Sequence, residues 1–281
     1  MTFLASRPHP APAAVIVGVP YDATASFRAG ARAGPAAIRW ASQSIETYSP
    51  ILDADLEQVA VADAGDVEVD GLEPPRMVEV VAGHIRSLDP AVLPVILGGE
   101  HTITLGVVSA LVRRHPDLAV VQVDAHTDLR DTYEGQRVGH ATVMRRVVEI
   151  VGAGSVVQLG VRAGTRDEWE LARALAHSGP TLDVPPRVWA DLSRRPVYVS
   201  VDIDAVDPAD APGTGNPEPE GIPARDLLRF VRRLGGLAVV GLDLVEVSPA
   251  YDPSGRTAVL AATVLREAIL ALRGPAGLQV R

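Results

Sequence analysis

Short apolar runs alternate with longer amphipathic segments along the whole chain, and this alternation constrains the fold more than any other feature. Strands that alternate with helices build a mostly parallel sheet covered by helices, so the sequence predicts an α/β protein. The predicted strands span residues 13–19, 59–63, 92–97, 118–124, 155–161, 196–202 and 237–245. The predicted helices span residues 35–42, 74–87, 102–115, 140–151, 167–177, 224–234 and 256–273.

The sequence shows no internal division. No linker rich in Pro, Gly or Ser, no shift in composition and no repeat of roughly 20–50 residues separates one part from another. A length of 281 residues suits one large α/β domain. We therefore predict a single domain over residues 1–281, in which the proline-containing residues 1–12 form an irregular N-terminal arm.

Charge and residue usage exclude several classes of partner and site. The formal net charge of -9 argues against a nucleic-acid or anionic-membrane surface, because both need a basic patch. No apolar run reaches the roughly 18 residues of a membrane span. The absence of cysteine excludes disulfides, thiolate metal ligands and a cysteine nucleophile. We predict a cytoplasmic protein without a nucleic-acid or membrane partner.

The stretch LAVVQVDAHTD at residues 118–128 joins a buried strand to three potential metal ligands. Side chains at alternate positions of an extended backbone share one face, so Asp124, His126 and Asp128 can converge on one point. Charged groups are costly at the end of a buried strand unless something compensates them. A bound cation is the simplest compensation, and a plain polar turn after a core strand is the alternative.

Two other predicted strands end in the same kinds of side chain. His101 follows the strand at 92–97, and Asp202 and Asp204 alternate at the end of the strand at 196–202. Because ligands bind outside the carboxyl ends of parallel strands, we expect these residues to meet Asp124 and its neighbours at one edge of the sheet. The joint pattern predicts a metal centre.

The formal charges of this ligand set indicate two divalent ions and a hydrolytic reaction. Four aspartates contribute minus four, which two divalent cations balance, and a carboxylate majority with imidazole and no thiolate favours Mn²⁺. Two metals lower the pKa of a bridging water and hold the resulting hydroxide for attack. The site would then carry about one negative charge, which favours a cationic substrate.

Three ordered segments, GGEHTIT, VDAHTD and SVDIDAVDPADAPGTG, resemble the signature motifs of the ureohydrolases, the arginase and agmatinase family. The similarity extends from GVPYDATASFRAGARAGPAAIR to DLVEVSPAYDPSGRTAVLAA, which is nearly the full chain. The resemblance implies a three-layer αβα fold with a central, mostly parallel sheet of about eight strands. It also implies assembly as a homotrimer or homohexamer.

The resemblance also implies roles for individual residues. One manganese ion would be held by His101, Asp124, Asp128 and Asp202, and the other by His126, Asp124, Asp202 and Asp204. A metal-bridging hydroxide would attack the guanidinium carbon, and Asp128 would help move a proton to the departing amine. Glu246 matches the carboxylate that orients the guanidinium group, His140 matches a proton-shuttling histidine, and Asp243 is expected to support the site without binding metal.

The loop before His140 bears on the substrate. Residues 129–139 contain neither Asn nor Ser, which arginases use to hold the α-carboxylate and α-amino groups of arginine, and the segment is similar to the bacterial and archaeal agmatinase branch. Asp131 or Glu134 would meet the amine tail of agmatine, or both are ordinary solvated loop charges. Arg130 and Arg137 would instead meet a carboxylate tail.

The expected reaction is therefore the hydrolysis of agmatine to putrescine and urea. A guanidinobutyrase or guanidinopropionase is the main alternative, and a formimidoylglutamase or an arginase is a more distant one. A catalytically inactive metal-binding scaffold is the alternative from another class, although all the matched ligand positions, Glu246 and His140 are present. A deacetylase with this fold would hold a single zinc ion.

Overall fold

A central eight-stranded sheet organises the computed structural model, which describes residues 1–274. Its strand order is β4-β1-β5-β10-β9-β6-β7-β8, and every pairing of neighbouring strands is parallel. A separate antiparallel pair, β2 and β3, lies in the connection before β4. The strands are β1 (Ala14–Val19), β2 (Tyr48–Ser49), β3 (Ala54–Asp55), β4 (Val61–Asp66), β5 (Leu93–Gly98), β6 (Ala119–Val123), β7 (Val156–Leu159), β8 (His177–Gly179), β9 (Pro196–Asp202) and β10 (Ala238–Val245).

Helices cover both faces of the sheet and bury two hydrophobic cores. The helices are α1 (Gly34–Ser42), α2 (Pro74–Ser87), α3 (Ile103–Leu111), α4 (Val143–Val151), α5 (Arg166–Ala172), α6 (Pro186–Leu192), α7 (Ala224–Arg233) and α8 (Arg256–Arg273). Helices α1, α6, α7 and α8 pack on one face, and α2, α3, α4 and α5 pack on the other. Alternate strand residues supply the two cores, as Ile16 faces one and Val17 the other. The predicted three-layer α/β architecture with about eight strands is confirmed.

The sequence pattern misses the shortest elements. Strand β8 has only three residues, HSG, and α6 has only seven, so neither carries a clear hydrophobic period. The predicted helix at 167–177 ends at Ala172, because the chain then turns into β8. The predicted helix at 140–151 begins as a 3₁₀ turn over His140–Thr142 before α4.

Residues 1–12 contain no helix or strand, yet they are attached to the body of the protein. Phe3 is 1% exposed, and its backbone N–H donates to Asp63 Oδ2 at 2.8 Å. The backbone N–H of Arg7 donates to the carbonyl of Val61 at 2.9 Å. The proline-containing arm therefore packs against β4 of its own chain. Over residues 1–274, none of the helices combines the length and apolar character needed to cross a membrane.

A buried ion-pair cluster joins α7, α8 and the β2–β3 pair. Glu267 has no exposed surface, and its carboxylate accepts from Arg232 Nε at 2.5 Å, Arg266 Nη2 at 2.5 Å and Ser49 Oγ at 3.0 Å. Removing one member of a buried pair leaves the other charge uncompensated. Glu267 therefore holds two guanidinium groups at the outer layer of the fold.

Glu267→Gln is expected to lower the free energy of unfolding by about 3 kcal/mol at pH 7, measured by urea denaturation. Burial raises the pKa of Glu267, but Arg232 and Arg266 outweigh it and hold this pKa below its usual value. The contribution is thus present above the unfolded pKa of about 4.3 and disappears as the pH falls through the folded pKa. The control Glu79→Gln, in an exposed pair with Arg76, should change stability by less than about 1 kcal/mol. An equal loss for both variants would contradict the prediction.

Candidate metal centre

The predicted metal ligands come from the carboxyl ends of three strands, and Glu246 comes from a fourth strand that lies among them. Strands β5, β10, β9 and β6 are adjacent in the sheet, and all run in the same direction. Asp124 follows β6, Asp202 ends β9, Glu246 follows β10, and His101 comes after the short turn that ends β5. Parallel packing therefore brings together residues that lie far apart in the sequence.

The ligand atoms form two groups that share one carboxylate. His101, Asp124 and Asp128 form the first group, in which His101 Nδ1 lies 3.0 Å from Asp124 Oδ2 and 3.0 Å from Asp128 Oδ2. Asp124, His126 and Asp204 form the second, in which His126 Nδ1 lies 3.0 Å from Asp204 Oδ2 and 3.6 Å from Asp124 Oδ1. In each group all ligand atoms lie within 4.8 Å of one another.

Asp202 lies between the two groups. Its Oδ2 is 3.6 Å from His101 Nδ1, and its Oδ1 accepts the backbone N–H of Asp204 at 2.8 Å. The six predicted ligands are thus all brought to one place, and five of them are buried, with His126 26% exposed on its side chain. Asp124 and Asp202 occupy the central positions that bridging ligands would need.

The carboxylates and histidines of this cluster strongly perturb one another. Burial and the charge of Asp124 raise the pKa of Asp128 to about 7. Burial and the charges of Asp204 and Asp124 raise the pKa of Asp202 well above its usual range. Burial alone would lower the pKa of His126, but Asp204 and Asp124 raise it to about 12. The buried carboxylates therefore require positive charge nearby, which is supplied by bound protons or by metal ions that displace those protons.

The tautomer of His101 shows that the site suits a metal ion. His101 Nε2 lies 2.9 Å from Ser200 Oγ, and this hydroxyl donates its only proton to Asp243 Oδ1 at 2.6 Å. Ser200 must therefore accept the Nε2 proton, so Nδ1 carries the lone pair when the imidazole is neutral, as it is in a metal ligand. Nδ1 is buried without a hydrogen-bond partner while carboxylate oxygens surround it. A lone pair among carboxylates is compatible with a cation between them.

Asp243 supports His101 indirectly, through the hydroxyl of Ser200, and its own hydrogen bonds do not reach the ligand groups. Besides Ser200, it accepts hydrogen bonds from Thr104 Oγ1 at 2.6 Å and from the hydroxyl of Tyr198. All three donors and Asp243 itself are buried. The hydroxyl network fixes the orientation of His101, which agrees with the supporting role expected for Asp243.

Buried glutamines, which the motif analysis did not identify, orient Asp124. Gln122 Nε2 donates to Asp124 Oδ2 at 2.6 Å, and Gln158 Nε2 donates in turn to Gln122 Oε1 at 2.6 Å. The other oxygen of Asp124 accepts the backbone N–H of His126 at 2.6 Å. Gln122 could have been identified from the sequence, because it is the polar residue inside the apolar run AVVQV. Both glutamines have no exposed surface, so the carboxylate is held in place.

Two of the site residues adopt backbone conformations that side chains rarely favour. Asp128 has φ of 52° and Glu246 has φ of 65°, both in the left-handed region. Such conformations cost of order 1 kcal/mol or more and persist where packing enforces them. They turn the chain sharply after β6 and β10, which aims both carboxylates back toward the sheet edge.

Glu246 lies beside the ligand groups, and no cationic side chain among residues 1–274 pairs with it. Its Oε1 accepts the backbone N–H of His101 at 2.8 Å. Burial and the charge of Glu100 raise its pKa to about 8. A cationic group in the adjoining cleft would favour its ionised form.

His140 is held by a network from the loop that follows β1. Its Nε2 lies 3.1 Å from Ser26 Oγ, and its Nδ1 lies 3.2 Å from Thr24 Oγ1. Thr24 in turn donates to Glu100 Oε1 at 2.7 Å, so the glutamate beside His101 also orients His140. Burial and the neighbouring His101 and His126 lower the pKa of His140 to about 4. The imidazole is therefore neutral at physiological pH.

These groups line a cleft of about 330 Å³ that opens at the carboxyl edge of the sheet. Besides the predicted residues, its walls include Ser26, Tyr133, Glu168, Asn216 and Glu218, and Arg130 also lines it. Sequence reasoning did not identify these five as site residues. Glu168 lies in the first turn of α5, and the other four lie on loops whose course depends on packing, although the segment NPEPEG around Glu218 is an unusual polar and proline-rich turn.

The residues predicted to contact the substrate tail are placed differently from one another. Asp131 does not line the cleft, because it pairs with Arg146 at 2.6 Å and its side chain is 56% exposed. Arg137 points to the same outer cluster, 3.6 Å from Asp131. Glu134 lines a smaller neighbouring depression. Arg130 alone among the four lines the main cleft, which makes Asp131 and Arg137 poor candidates for the tail contact.

Comparisons with known proteins agree with this geometry. A model of the arginase family matches residues 12–271. Agmatinase from Bacillus subtilis is 40% identical over 275 residues, covering 95% of each chain. Guanidinobutyrase from Pseudomonas aeruginosa is 38% identical over 281 residues, covering 93% of this chain and 86% of that protein. The crystal structure of agmatine ureohydrolase of Thermoplasma volcanium superposes with a TM-score of 0.88 at 34% identity, covering 96% of this chain and 94% of that one.

Proposed function

The chain belongs to the arginase family and is a ureohydrolase, and from this we propose that it hydrolyses agmatine to putrescine and urea with two manganese ions. The agmatinase relatives support this choice of substrate. The observation that carries the proposal is the pair of ligand groups that share Asp124, with Glu246 beside them. Three kinds of group needed for guanidinium hydrolysis thus meet in one cleft: metal ligands, a free carboxylate and a neutral histidine.

Each metal ion would take its ligands from one half of the cluster. His101, Asp124, Asp128 and Asp202 would hold one ion, and His126, Asp124, Asp202 and Asp204 the other. Carboxylates outnumber imidazoles and thiolates are absent, which favours Mn²⁺. When bound, the two ions supply an activated water at neutral pH.

The protein's own residues position the substrate and move its protons. The carboxylate of Glu246 holds the guanidinium group at the base of the cleft. The water oxygen ends in urea, the bond from the guanidinium carbon to the chain nitrogen breaks, and the departing amine gains a proton. Asp128 lines the cleft and is suited to carry that proton.

His140 is suited to exchange protons between the cleft and solvent. It is neutral, it lines the cleft, and Ser26 holds its Nε2. We expect His140→Asn to lower kcat by about 10²-fold while the metal content stays the same, since general acid–base groups contribute about that much. Because the pKa of His140 is lowered to about 4, its neutral form persists as the pH falls to that value. The wild-type rate should therefore show no decrease near pH 6.5 from protonation of His140.

Metal analysis and a pH–rate profile would test this role. His115→Asn, which changes a histidine outside the cleft, is the control and should behave as wild type. An unchanged pH–rate profile and kcat for His140→Asn would show that the residue only packs against Tyr133.

The substrate is tested by measuring urea release from agmatine, 4-guanidinobutyrate, 3-guanidinopropionate and arginine side by side. The protein would be loaded with Mn²⁺, and its metal content would be determined on the same sample. Two metals per chain with a preference for agmatine are the expected result. One metal per chain, or no urea from any of the four compounds, would contradict the proposal.

A guanidinobutyrase is the second candidate, because a cation lines the cleft. Arg130 stacks over Tyr133 at 4.6 Å, and its side chain is 39% exposed. The Pseudomonas aeruginosa guanidinobutyrase is also a full-length relative. If 4-guanidinobutyrate is the preferred substrate, the tail carboxylate would meet Arg130.

Family membership further supports three proposals about the whole protein. Residues 1–281 would form one ureohydrolase domain, the protein would act in the cytoplasm, and it would assemble as a homotrimer or homohexamer. Light scattering coupled to size-exclusion chromatography would distinguish the assemblies from a monomer.

A further inference from the structure

Two glutamates, Glu168 and Glu218, line the cleft without belonging to the ligand groups or the proposed guanidinium contact. The carboxylate of Glu168 already accepts hydrogen bonds at both of its oxygens. Glu168 is 4% exposed, and its oxygens accept from Thr127 Oγ1, Leu129 N and both donors of Thr165 at 2.8–3.1 Å. It also lies 3.5 Å from Arg130 Nε. Glu168 therefore caps α5 and stabilises the loop after β6, with no acceptor left for a ligand.

Glu218 is the other glutamate, and its carboxylate has room for a ligand. Among residues 1–274, no hydrogen bond reaches its carboxylate oxygens, and its nearest partner of opposite charge is His126 Nε2 at 3.8 Å. Its side chain is 39% exposed and lines the cleft. A carboxylate without hydrogen bonds in a concave site attracts a cationic group.

The backbone that carries Glu218 is firmly held. Arg162 Nη2 donates to the carbonyl of Glu218 at 2.9 Å, and Arg162 Nε donates to the carbonyl of Pro219 at 2.9 Å. Pro217 and Pro219 flank the residue and restrict its backbone. The carboxylate is thus presented from a rigid loop, which reduces the ordering cost of binding.

The position of Glu218 is compatible with the length of a four-carbon substrate. The same loop passes Glu246 three residues earlier, where a Cβ on Gly215 would lie 3.7 Å from Glu246 Oε2. Three residues span at most about 10 Å of extended chain. The guanidinium carbon and the amine of an extended four-carbon substrate are roughly 7 Å apart for bonds of about 1.5 Å. A guanidinium on Glu246 therefore leaves its far end within reach of Glu218.

The guanidinium group of Arg130, which also lines the cleft, is less available to a ligand than the carboxylate of Glu218. Arg130 is stacked on Tyr133 and lies beside the buried carboxylate of Glu168. Resting on the proposed function, we propose that Glu218 binds the terminal ammonium group of the substrate and so selects amine-tailed over acid-tailed guanidino compounds. Glu218 is then a specificity-determining residue, and Asp131 is not.

The test compares agmatine with 1-butylguanidine, which has the same length and lacks the amine. For the wild type, kcat/KM should be at least about tenfold higher for agmatine, since 1.4 kcal/mol corresponds to a factor of ten. Glu218→Gln should raise KM for agmatine about tenfold and leave both kcat and the kinetics of 1-butylguanidine nearly unchanged. Glu220→Gln, two residues away and exposed, is the matched control and should behave as wild type.

Manganese affinity, measured by titration with detection of free Mn²⁺ by electron paramagnetic resonance, gives a readout independent of turnover. It should be the same for wild type and Glu218→Gln. A weaker affinity together with an equal loss for both substrates would show that Glu218 positions His126 instead, and would overturn the inference. Equal rates for the two substrates in the wild type would overturn it as well. No urea from either substrate would contradict the proposed function and the inference with it.

Discussion

Replacing Asp124 with Asn is expected to reduce urea release by about 10³-fold or more. Asp124 is the residue shared by the two ligand groups, so its loss weakens both metal positions at once. Metal ions supply several kcal/mol of transition-state stabilisation, and each 1.4 kcal/mol corresponds to a factor of ten in rate. Metal analysis after dialysis should show less than two ions per chain.

The fold should survive this substitution. The Asn side chain has nearly the same shape, and the charge that it removes has opposing effects in the metal-free protein. Burial and the charge of Asp124 raise the pKa of Asp128, whereas His101 and His126 outweigh burial and lower the pKa of Asp124 itself. The metal-free Asp124→Asn variant should still fold, whereas the rise in Tm that Mn²⁺ produces in the wild type should be lost.

Asp117→Asn is the matched control for Asp124→Asn. Asp117 precedes the same strand, β6, at the opposite edge of the sheet, and its side chain is 74% exposed. This control should retain metal, activity and the stabilisation by Mn²⁺. Full metal content and turnover in Asp124→Asn would overturn the assignment of Asp124 as a bridging ligand.

Replacing Glu246 with Gln is expected to lower kcat/KM for agmatine by about 10²-fold with both metal ions retained. Gln can still accept the backbone N–H of His101, so the local structure should persist, but it cannot neutralise a guanidinium group. A hydrogen bond to a charged group contributes about 1.5–3 kcal/mol, which corresponds to roughly 10- to 150-fold. The substrate should therefore bind or react more weakly while the metal centre stays intact.

Steady-state kinetics and metal content on the same samples would test the role of Glu246. Because Glu246 and Glu218 are proposed to hold opposite ends of the substrate, their variants should differ with 1-butylguanidine. Glu246→Gln should lose activity with agmatine and 1-butylguanidine alike, whereas Glu218→Gln should lose it with agmatine alone. Unchanged kinetics for Glu246→Gln would make Glu246 a structural residue that stabilises the turn after β10.

The fold was largely predictable because most of its long strands, such as β1 and β5, are buried on both faces and read as apolar runs. All seven predicted strands correspond to strands of the central sheet, from Ala14–Val19 to Ala238–Val245. Strand β8, at the edge, could not be predicted, since three half-exposed residues give no hydrophobic pattern. It exists because β7 offers it backbone partners, as in the pairing of Val157 with His177.

The metal ligands were predictable for a related reason. Alternation along a strand is a local property, so the spacing of Asp124, His126 and Asp128, and of Asp202 and Asp204, indicates convergence before any contact is known. His140 and Glu246 required the resemblance to a family, because each is a single residue with no local pattern. Their partners Ser26, Thr24 and His101 lie more than a hundred residues away in sequence.

The contacts of the substrate tail depend on tertiary structure alone. In the sequence, Asp131, Glu134 and Glu218 are equivalent loop carboxylates. Folding pairs Asp131 with Arg146 at the surface, places Glu134 in a neighbouring depression and leaves Glu218 in the cleft, 3.8 Å from His126 Nε2 and without a hydrogen bond to its carboxylate among residues 1–274. The sequence by itself determined the layers and the metal-binding strand ends, because both follow from short-range periodicity. Only the tertiary structure decided which charges are neutralised and which remain free to bind, because ion pairing depends on distances that the fold creates.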